Sequence, residues 1–343
     1  MKRTRTPKRT YGSWVTGKEV AAAANVSLIT VSRVFSTPER VAPPTLKRVR
    51  EIAEKLGYIP NAVAGDLASR RSRVVAAVVP TLSHSNFAKT IEGLVAGLSR
   101  ERHELLLSSS SFSVEREEQI VSAFMERRPD AIVLIGNDHA TTLRKLLKAT
   151  RVPVMELWAL DGPIIDMAVG FSDLAAMQDL TRHVISTGRK RIGYIDFHRP
   201  NIRRYVDRCS GYAAAMKEAG LDEGVVARSP TPKDYESGRR CLADLLARWP
   251  DLDAVIGCTD IHAAGAIFEC HKRSIRVPDQ LSVAGFGDFE IAAATEPPLT
   301  TVSSHAYEMG LQASEMILAR INGDHVPLAP LDVGFELVVR ESA

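Results

Sequence analysis

Several features are scarce in these 343 residues. The four cysteines, Cys209, Cys241, Cys258 and Cys270, show no C-x-x-C spacing and sit in apolar or helical contexts. Neither a disulfide framework nor a metal site is indicated, and buried thiols in a reducing compartment are the reading. The most apolar short stretch, Val74 to Val79, falls far below the roughly 20 residues of a membrane-spanning helix. The basic start, Met1-Lys-Arg-Thr-Arg5, is followed by Thr, Gly, Ser and Lys rather than by an apolar signal core, so a soluble, cytoplasmic protein is expected. Catalytic signatures are missing as well. There is no G-x-G-x-x-G after the first strand, no Walker loop and no G-x-S-x-G, and the nine histidines lack H-x-x-E-H or H-E-x-x-H spacing. No enzyme, cofactor or metal is expected, and His198, His262 and His271 read as loop or helix-surface residues.

What is present is 45% hydrophobic residues, enough for a sizeable core, and a formal charge of only +3. That total conceals an uneven distribution. From Met1 to Arg73 there are 15 Lys/Arg against 5 Asp/Glu, whereas the remainder holds 29 against 36. A basic nucleic-acid module fused to an acidic body with another task is the natural interpretation.

Within the basic part, Thr16-Gly-Lys-Glu19 is a capping box that predicts a helix start. The helix runs through Val20 to Ala24, Asn25-Val26 breaks it, and Ser27 caps a second helix. There Val31 and Val34 face the first helix, while Leu28, Ile29, Ser32 and Arg33 fall on the other side. Two aliphatics and an arginine are odd on a solvated face. They suit the major groove, where Arg grips guanine and aliphatics meet thymine methyls. Pro43-Pro44 opens a third helix whose stripe, Leu46, Val49, Ile52, Ala53 and Leu56, closes a small core before Gly57 stops it. The stretch from Ala62 to Arg71 is too short and too rich in Gly and Asp to be helical alone, so it should order only on binding.

Val26-Ser27-x-x-Thr30-Val31-Ser32-Arg33-Val34, Leu56-Gly57-Tyr58-x-Pro60-Asn61 and Ala64-x-x-Leu67 together resemble the DNA-binding headpiece and hinge of the LacI/GalR family of bacterial repressors. The resemblance implies that Leu28, Ile29 and Arg33 read bases. It also implies that Thr16, Ser27, Thr30, Ser32, Tyr58 and Asn61 position the DNA backbone, and that a hinge helix with Ala64 and Leu67 enters the minor groove, Leu67 as a wedge. Ala42 replaces a common serine cap, and Gly65-Asp66 replaces more polar or basic hinge residues.

After Arg73, β-rich runs alternate with helical patterns in two similar halves dividing near 171–173, which predicts parallel sheets and a ligand cleft at the strand C-termini. The expected fold class is thus α/β: an all-α helix-turn-helix headpiece with a hinge helix, then a two-lobed core of doubly wound parallel sheets. The expected domains are a basic tail (1–13), the DNA-binding domain (14–60), the hinge (61–72) and an effector and dimerisation domain (73–343). The resemblance continues there. It implies a periplasmic-binding-protein-like core with a second crossover near Ser303, and a homodimer on a pseudo-palindromic operator. Residues after strands nominate Thr81, Ser83, Asn86, Phe87, Asn137, Glu156, Trp158, His198, Arg204, Arg208, Thr259, Asp260, Gly287 and Asp288 for the cleft. By resemblance, Arg208 is the ligand-gripping arginine, Asn86-Phe87 the pair after the first strand and Phe171 the aromatic at the lobe crossover. Gly287 stands where sugar and purine repressors commonly carry Asp, and with Arg204, Arg208 and Lys233 this favours an anionic effector such as a sugar acid. Val152 to Leu157, Ile165 to Phe171 and Ala284 to Gly287 resemble the gluconate-responsive members of the family, which implies a gluconate-type effector. A neutral sugar, a purine or a co-repressor remains the alternative within the family, and a stand-alone solute-binding receptor the alternative outside it. The C-terminus carries no heptad repeat, so a dimer rather than a tetramer is expected.

Overall fold

The computed structural model describes residues 14–59, 71–158, 160, 162–197, 202–221, 224–230, 234–327 and 329–343. The expected hinge up to residue 70, with Asn61, Ala64 and Leu67, lies outside the described residues, as do His198 and Lys233. Contacts divide the chain into two compact units, 1–72 and 73–343.

In the first unit, α1 (Gly17–Ala24) begins with both halves of the capping box in place. The Glu19 N–H donates to Thr16 Oγ1, and the Thr16 N–H donates to Glu19 Oε2 at 2.7 Å. Asn25 ends the helix in the left-handed region, at φ 51°, a conformation that Asn tolerates better than most residues. The chain then turns straight into α2 (Leu28–Ser36), capped by Ser27. A single 3₁₀ turn at Pro38–Arg40, not expected from the sequence, leads to α3 (Pro43–Leu56). Proline opens α3 and left-handed Gly57 closes it; Ala42 gives its N-terminus no side-chain cap. Val20, Val31, Val34 and Val49 are buried at the centre of this small core.

The second unit holds two sheets of parallel strands. In chain order the first lobe contains β1 (Val74–Val79), α4 (Ser85–Arg100), β2 (Glu104–Ser109), α5 (Val114–Met125), β3 (Ala131–Ile135), α6 (Thr141–Thr150), β4 (Val154–Leu157) and β5 (Met167–Gly170). The second contains α7 (Asp173–Ser186), β6 (Ile192–Asp196), α8 (Arg203–Glu218), β7 (Val225–Arg228), α9 (Tyr235–Arg248), β8 (Ala254–Gly257), α10 (Asp260–Lys272), β9 (Ser282–Ala284) and α11 (Glu290–Ala294). The chain continues as β10 (Thr301–Ser303), α12 (Ala306–Asn322), β11 (Leu331–Asp332) and β12 (Glu336–Val338). The sheet orders are β11-β5-β4-β3-β1-β2 and β7-β6-β8-β9, with β10 and β12 pairing antiparallel apart from both. Strands such as Ala131–Ile135 are buried along their whole length, as continuous apolar runs covered by helices on both faces require.

Helix α12 lies outside the β/α alternation expected from the sequence. It packs on α4 in the first lobe, so the chain returns there after visiting the second. Glycines allow that approach: a Cβ on Gly93 would lie 2.0 Å from the Tyr307 carbonyl oxygen, and one on Gly310 2.0 Å from that of Thr90. The chain then passes back near 333–335, and Ser342 joins the second lobe by accepting from the Val283 N–H and donating to the Val283 carbonyl.

Candidate DNA-reading face and effector cleft

On α2 the period of 3.6 residues separates two faces. Val31 and Val34 are fully buried, while Leu28 and Ile29 stand 47% and 62% exposed beside exposed Ser32 and Arg33. Ser27 Oγ accepts the Thr30 N–H at 3.1 Å and lies 2.9 Å from Thr30 Oγ1, so both hydroxyls sit at the helix N-terminus. Tyr58 packs on Phe35, with ring centroids 5.7 Å apart, and its hydroxyl reaches α1. A Cβ on Gly17 would lie 2.9 Å from Leu28 Cδ1 and 3.1 Å from the Tyr58 hydroxyl. Thr16, Ser27, Leu28, Ile29, Thr30, Ser32, Arg33 and Tyr58 therefore belong to one rigid three-helix unit, with the Leu28, Ile29 and Arg33 side chains unburied by it.

In the second unit the lobes meet across a cleft. Asn86 Nδ2, from α4, donates to the Gly287 carbonyl at 2.6 Å. Asp138 Oδ2, beyond β3, accepts the Arg203 N–H at 2.6 Å. Helix α8 has no side-chain cap of its own, so a carboxylate of the opposite lobe stabilises its first turn. His84 stacks with Phe87 and lies beside Phe289, and Phe171 stacks on Phe286.

Three neighbouring cavities converge on one side chain, Arg204. The first is lined by Asn137, Asp138, Trp158, Phe171, Asp173, Arg203 and Asp207 among others, the second by Phe112, Glu117 and His139, and the third by His84, Asn86, Phe87, Tyr205, Arg208, Thr259, Phe286 and Phe289. Arg204 and Arg208 are not on a loop, where the sequence reading places them, but on the first turns of α8. That helix starts eight residues before Gly211, and its spacing of four brings both guanidinium groups to the cleft side. Arg208 Nε donates to Asp173 Oδ1 at 2.6 Å and Nη1 to the Cys258 carbonyl at 2.9 Å. Its guanidinium lies 3.8 Å from the Phe286 ring centroid. Burial pushes the Asp173 carboxyl up, and the adjoining Arg208 charge pulls against it.

Of the sequence-nominated residues, Asn86, Phe87, Asn137, Trp158, Phe171, Arg204, Arg208 and Thr259 line these cavities. Ser83, Glu156, Asp260 and Asp288 line none of the three. Each is bonded elsewhere, and Ser83 is exposed. Ser83 bonds Thr81 at 2.8 Å, and Asp288 pairs with Arg340 at 2.7 Å. Fully buried Glu156 accepts the Ile165 N–H at 2.6 Å and faces Arg144 and His139. Asp260 accepts the Phe289 N–H at 2.7 Å and the Thr301 hydroxyl, fixing the loop after β9. Burial, opposed by those two bonds, pushes its pKa to about 7.

His84, Phe112, Asp138, His139, Asp173 and Tyr205 escaped the sequence reading. Asp138 and His139 directly follow Asn137 and could have been found by extending the post-strand rule; Asp173 and Tyr205 lie on helices that rule does not reach. His139 is buried between Glu117, at 2.7 Å, and Glu156, at 3.4 Å. Burial disfavours its imidazolium, but the bonds and charges of the two glutamates outweigh this and raise its pKa to about 9.

Residues 16–61 match the model of bacterial regulatory proteins of the lacI family, and residues 181–343 match that of the periplasmic binding protein-like domain. The chain is 34% identical to the HTH-type transcriptional regulator GntR of Pseudomonas aeruginosa over 94% of each protein. It belongs to the lacI family of bacterial regulatory proteins. A LacI-family transcriptional regulator from Silicibacter pomeroyi superposes with a TM-score of 0.89 at 27% identity, covering 96% of this chain and 99% of that one. The transcription regulator GntR from Chromobacterium violaceum gives 0.75 at 32% identity, over 78% of this chain and 98% of its own. This is the fold class expected from the sequence. The lacI-family relatives are transcriptional regulators, not enzymes, and α2 is the second helix of the family's helix-turn-helix. Among the described residues no helix is long and apolar enough to cross a membrane.

Proposed function

We propose that this chain is a cytoplasmic, homodimeric repressor that binds a pseudo-palindromic operator and is released by a small sugar acid, gluconate or a keto-gluconate, acting on genes for its use. The observation that carries the DNA half is the outward face of α2, where Leu28, Ile29 and Arg33 stand exposed among the described residues. Arg33 takes a guanine edge and the aliphatics take thymine methyls. Thr16, Ser27, Thr30, Ser32 and Tyr58 meet the phosphate backbone, with Asn61, Ala64 and Leu67 following along the hinge.

The acid effector is supported by the relatives named GntR and by the buried arginines of the cleft. Asn86, Phe87, Asn137, Trp158, Phe171, Arg204, Arg208 and Thr259 line its cleft, while Glu156 and Asp260 brace the walls from behind and Ser83 and Asp288 flank them. Closure of the lobes on the effector moves the dimer interface and parts the hinges, so the ligand lowers operator affinity by its ratio of affinities for the two states. The test is fluorescence anisotropy on the protein's own upstream DNA at fixed salt, titrated with gluconate, 2-ketogluconate and galactose. Release by the acids alone is expected. Binding indifferent to all three, or release by galactose, overturns the effector.

A further inference from the structure

Among the described residues, two buried donors in the cleft have nothing to donate to. Arg204 is 8% exposed and its Nη2 meets no acceptor among the described residues; Trp158 is buried and its Nε1–H meets none among them either. Both residues line the same two cavities. A buried donor left unmade is costly, a charged one most of all, so two of them in one cleft call for an acceptor supplied from outside.

The neighbouring charges are already matched. Arg208 pairs with Asp173 at 2.6 Å, Arg203 with Asp207 at 3.2 Å and His139 with Glu117 at 2.7 Å, while Asp138 accepts the Arg203 N–H. Arg204 makes no ion pair among the described residues. Its guanidinium lies instead against aromatic rings, 5.3 Å from the centroid of Tyr205, 5.6 Å from Phe87 and 6.0 Å from Phe112. Such a cage holds the planar group in place and keeps water from it.

Resting on the sugar-acid reading above, the geometry points to Arg204 and Trp158 as the pair that binds the effector's carboxylate, with Arg208 a structural cation neutralised by Asp173. The ligand is a small polyhydroxy monocarboxylate. Its carboxylate accepts from Nη2 and Nε1, and its carbon chain lies along the aromatic walls. Acid over neutral selectivity therefore resides at Arg204, one helical turn before the arginine that the family pattern nominates.

Calorimetric titration of the full-length protein with D-gluconate and with its neutral congener D-glucitol tests this in wild type, Arg204→Gln and Trp158→Phe, with thermal melts as the folding control. Arg204→Gln is expected to lose about 10- to 100-fold in gluconate affinity and at most about 3-fold for glucitol; Trp158→Phe, which deletes one donor, loses about 10-fold for gluconate. Gluconate affinity unchanged in Arg204→Gln, or lost equally with that for glucitol, overturns the assignment and leaves the sugar-acid reading standing. A wild type that binds no gluconate overturns both. If Arg204→Gln does not fold, Trp158→Phe decides: it keeps the ring packed on Phe87 and Phe171, 5.5 and 5.9 Å away, and unchanged gluconate affinity refutes the pair.

Discussion

The two units keep their polar chemistry in opposite places. In the DNA-binding unit the core is wholly apolar, Val20, Val31, Val34 and Val49, and the chemistry projects outward from α2. In the effector unit the chemistry is interior: Arg204, Arg208, Asp173, Glu117, Glu156 and Asp260 are all buried. An outward reading face asks only rigidity of the fold beneath it. A buried site must match its charges with partners from other segments, as Arg208 does with Asp173, or leave them for a ligand, so its function and its stability share the same residues.

That contrast can be broken by removing one arginine from each unit. Arg208→Ala leaves the Asp173 carboxyl buried without its partner and should cost about 3–5 kcal/mol of stability, read as a lower urea midpoint of the effector unit. Arg33→Ala should leave that midpoint unchanged and weaken specific operator binding by about 1–3 kcal/mol, read by anisotropy. Equal stability losses in the two variants would abolish the distinction.

Protonation sharpens it. The His139 pKa is raised to about 9 in the folded protein, above its unfolded value of about 6.5. Its contribution is therefore complete below about pH 6.5 and lost as pH rises through 9, at no more than about 1.4 kcal/mol per pH unit. The melting temperature of the effector unit should fall across that window, and His139→Gln should flatten the slope. An unaltered slope would remove His139 from the account. The smallest effect belongs to the exposed unit: Thr16→Ala deletes the capping box and should cost about 1 kcal/mol, seen as a small drop in the melting of residues 14–59 with no change in effector affinity.

The same contrast explains what the sequence made legible. Thr16 and Glu19, Ser27 and Gly57 announce helix ends because caps act within four residues, and Val31 against Leu28 declares its face by period alone. Strands such as Val74–Val79 and Ala131–Ile135 were equally readable as apolar runs. The cleft was readable only in part. Asn86, Phe87, Asn137 and Thr259 follow strands and could be nominated by rule. Nothing in the local sequence says that Arg208 is spent on Asp173, 35 residues away, that Asp138 caps α8, or that Glu156 turns from the cleft toward Ile165. Those pairings are made by tertiary contact, and helix α12 escaped for a related reason: its place beside α4 depends on Gly93 lying against Tyr307 and Gly310 against Thr90, far apart in the chain.

The central claim is that the two units are coupled, and reciprocity tests it directly. Gluconate is titrated calorimetrically into the protein alone and into the protein saturated with operator DNA at one salt concentration. The account predicts weaker gluconate binding to the DNA complex, by the same factor by which gluconate weakens operator binding. Equal gluconate affinity in the two titrations would contradict it.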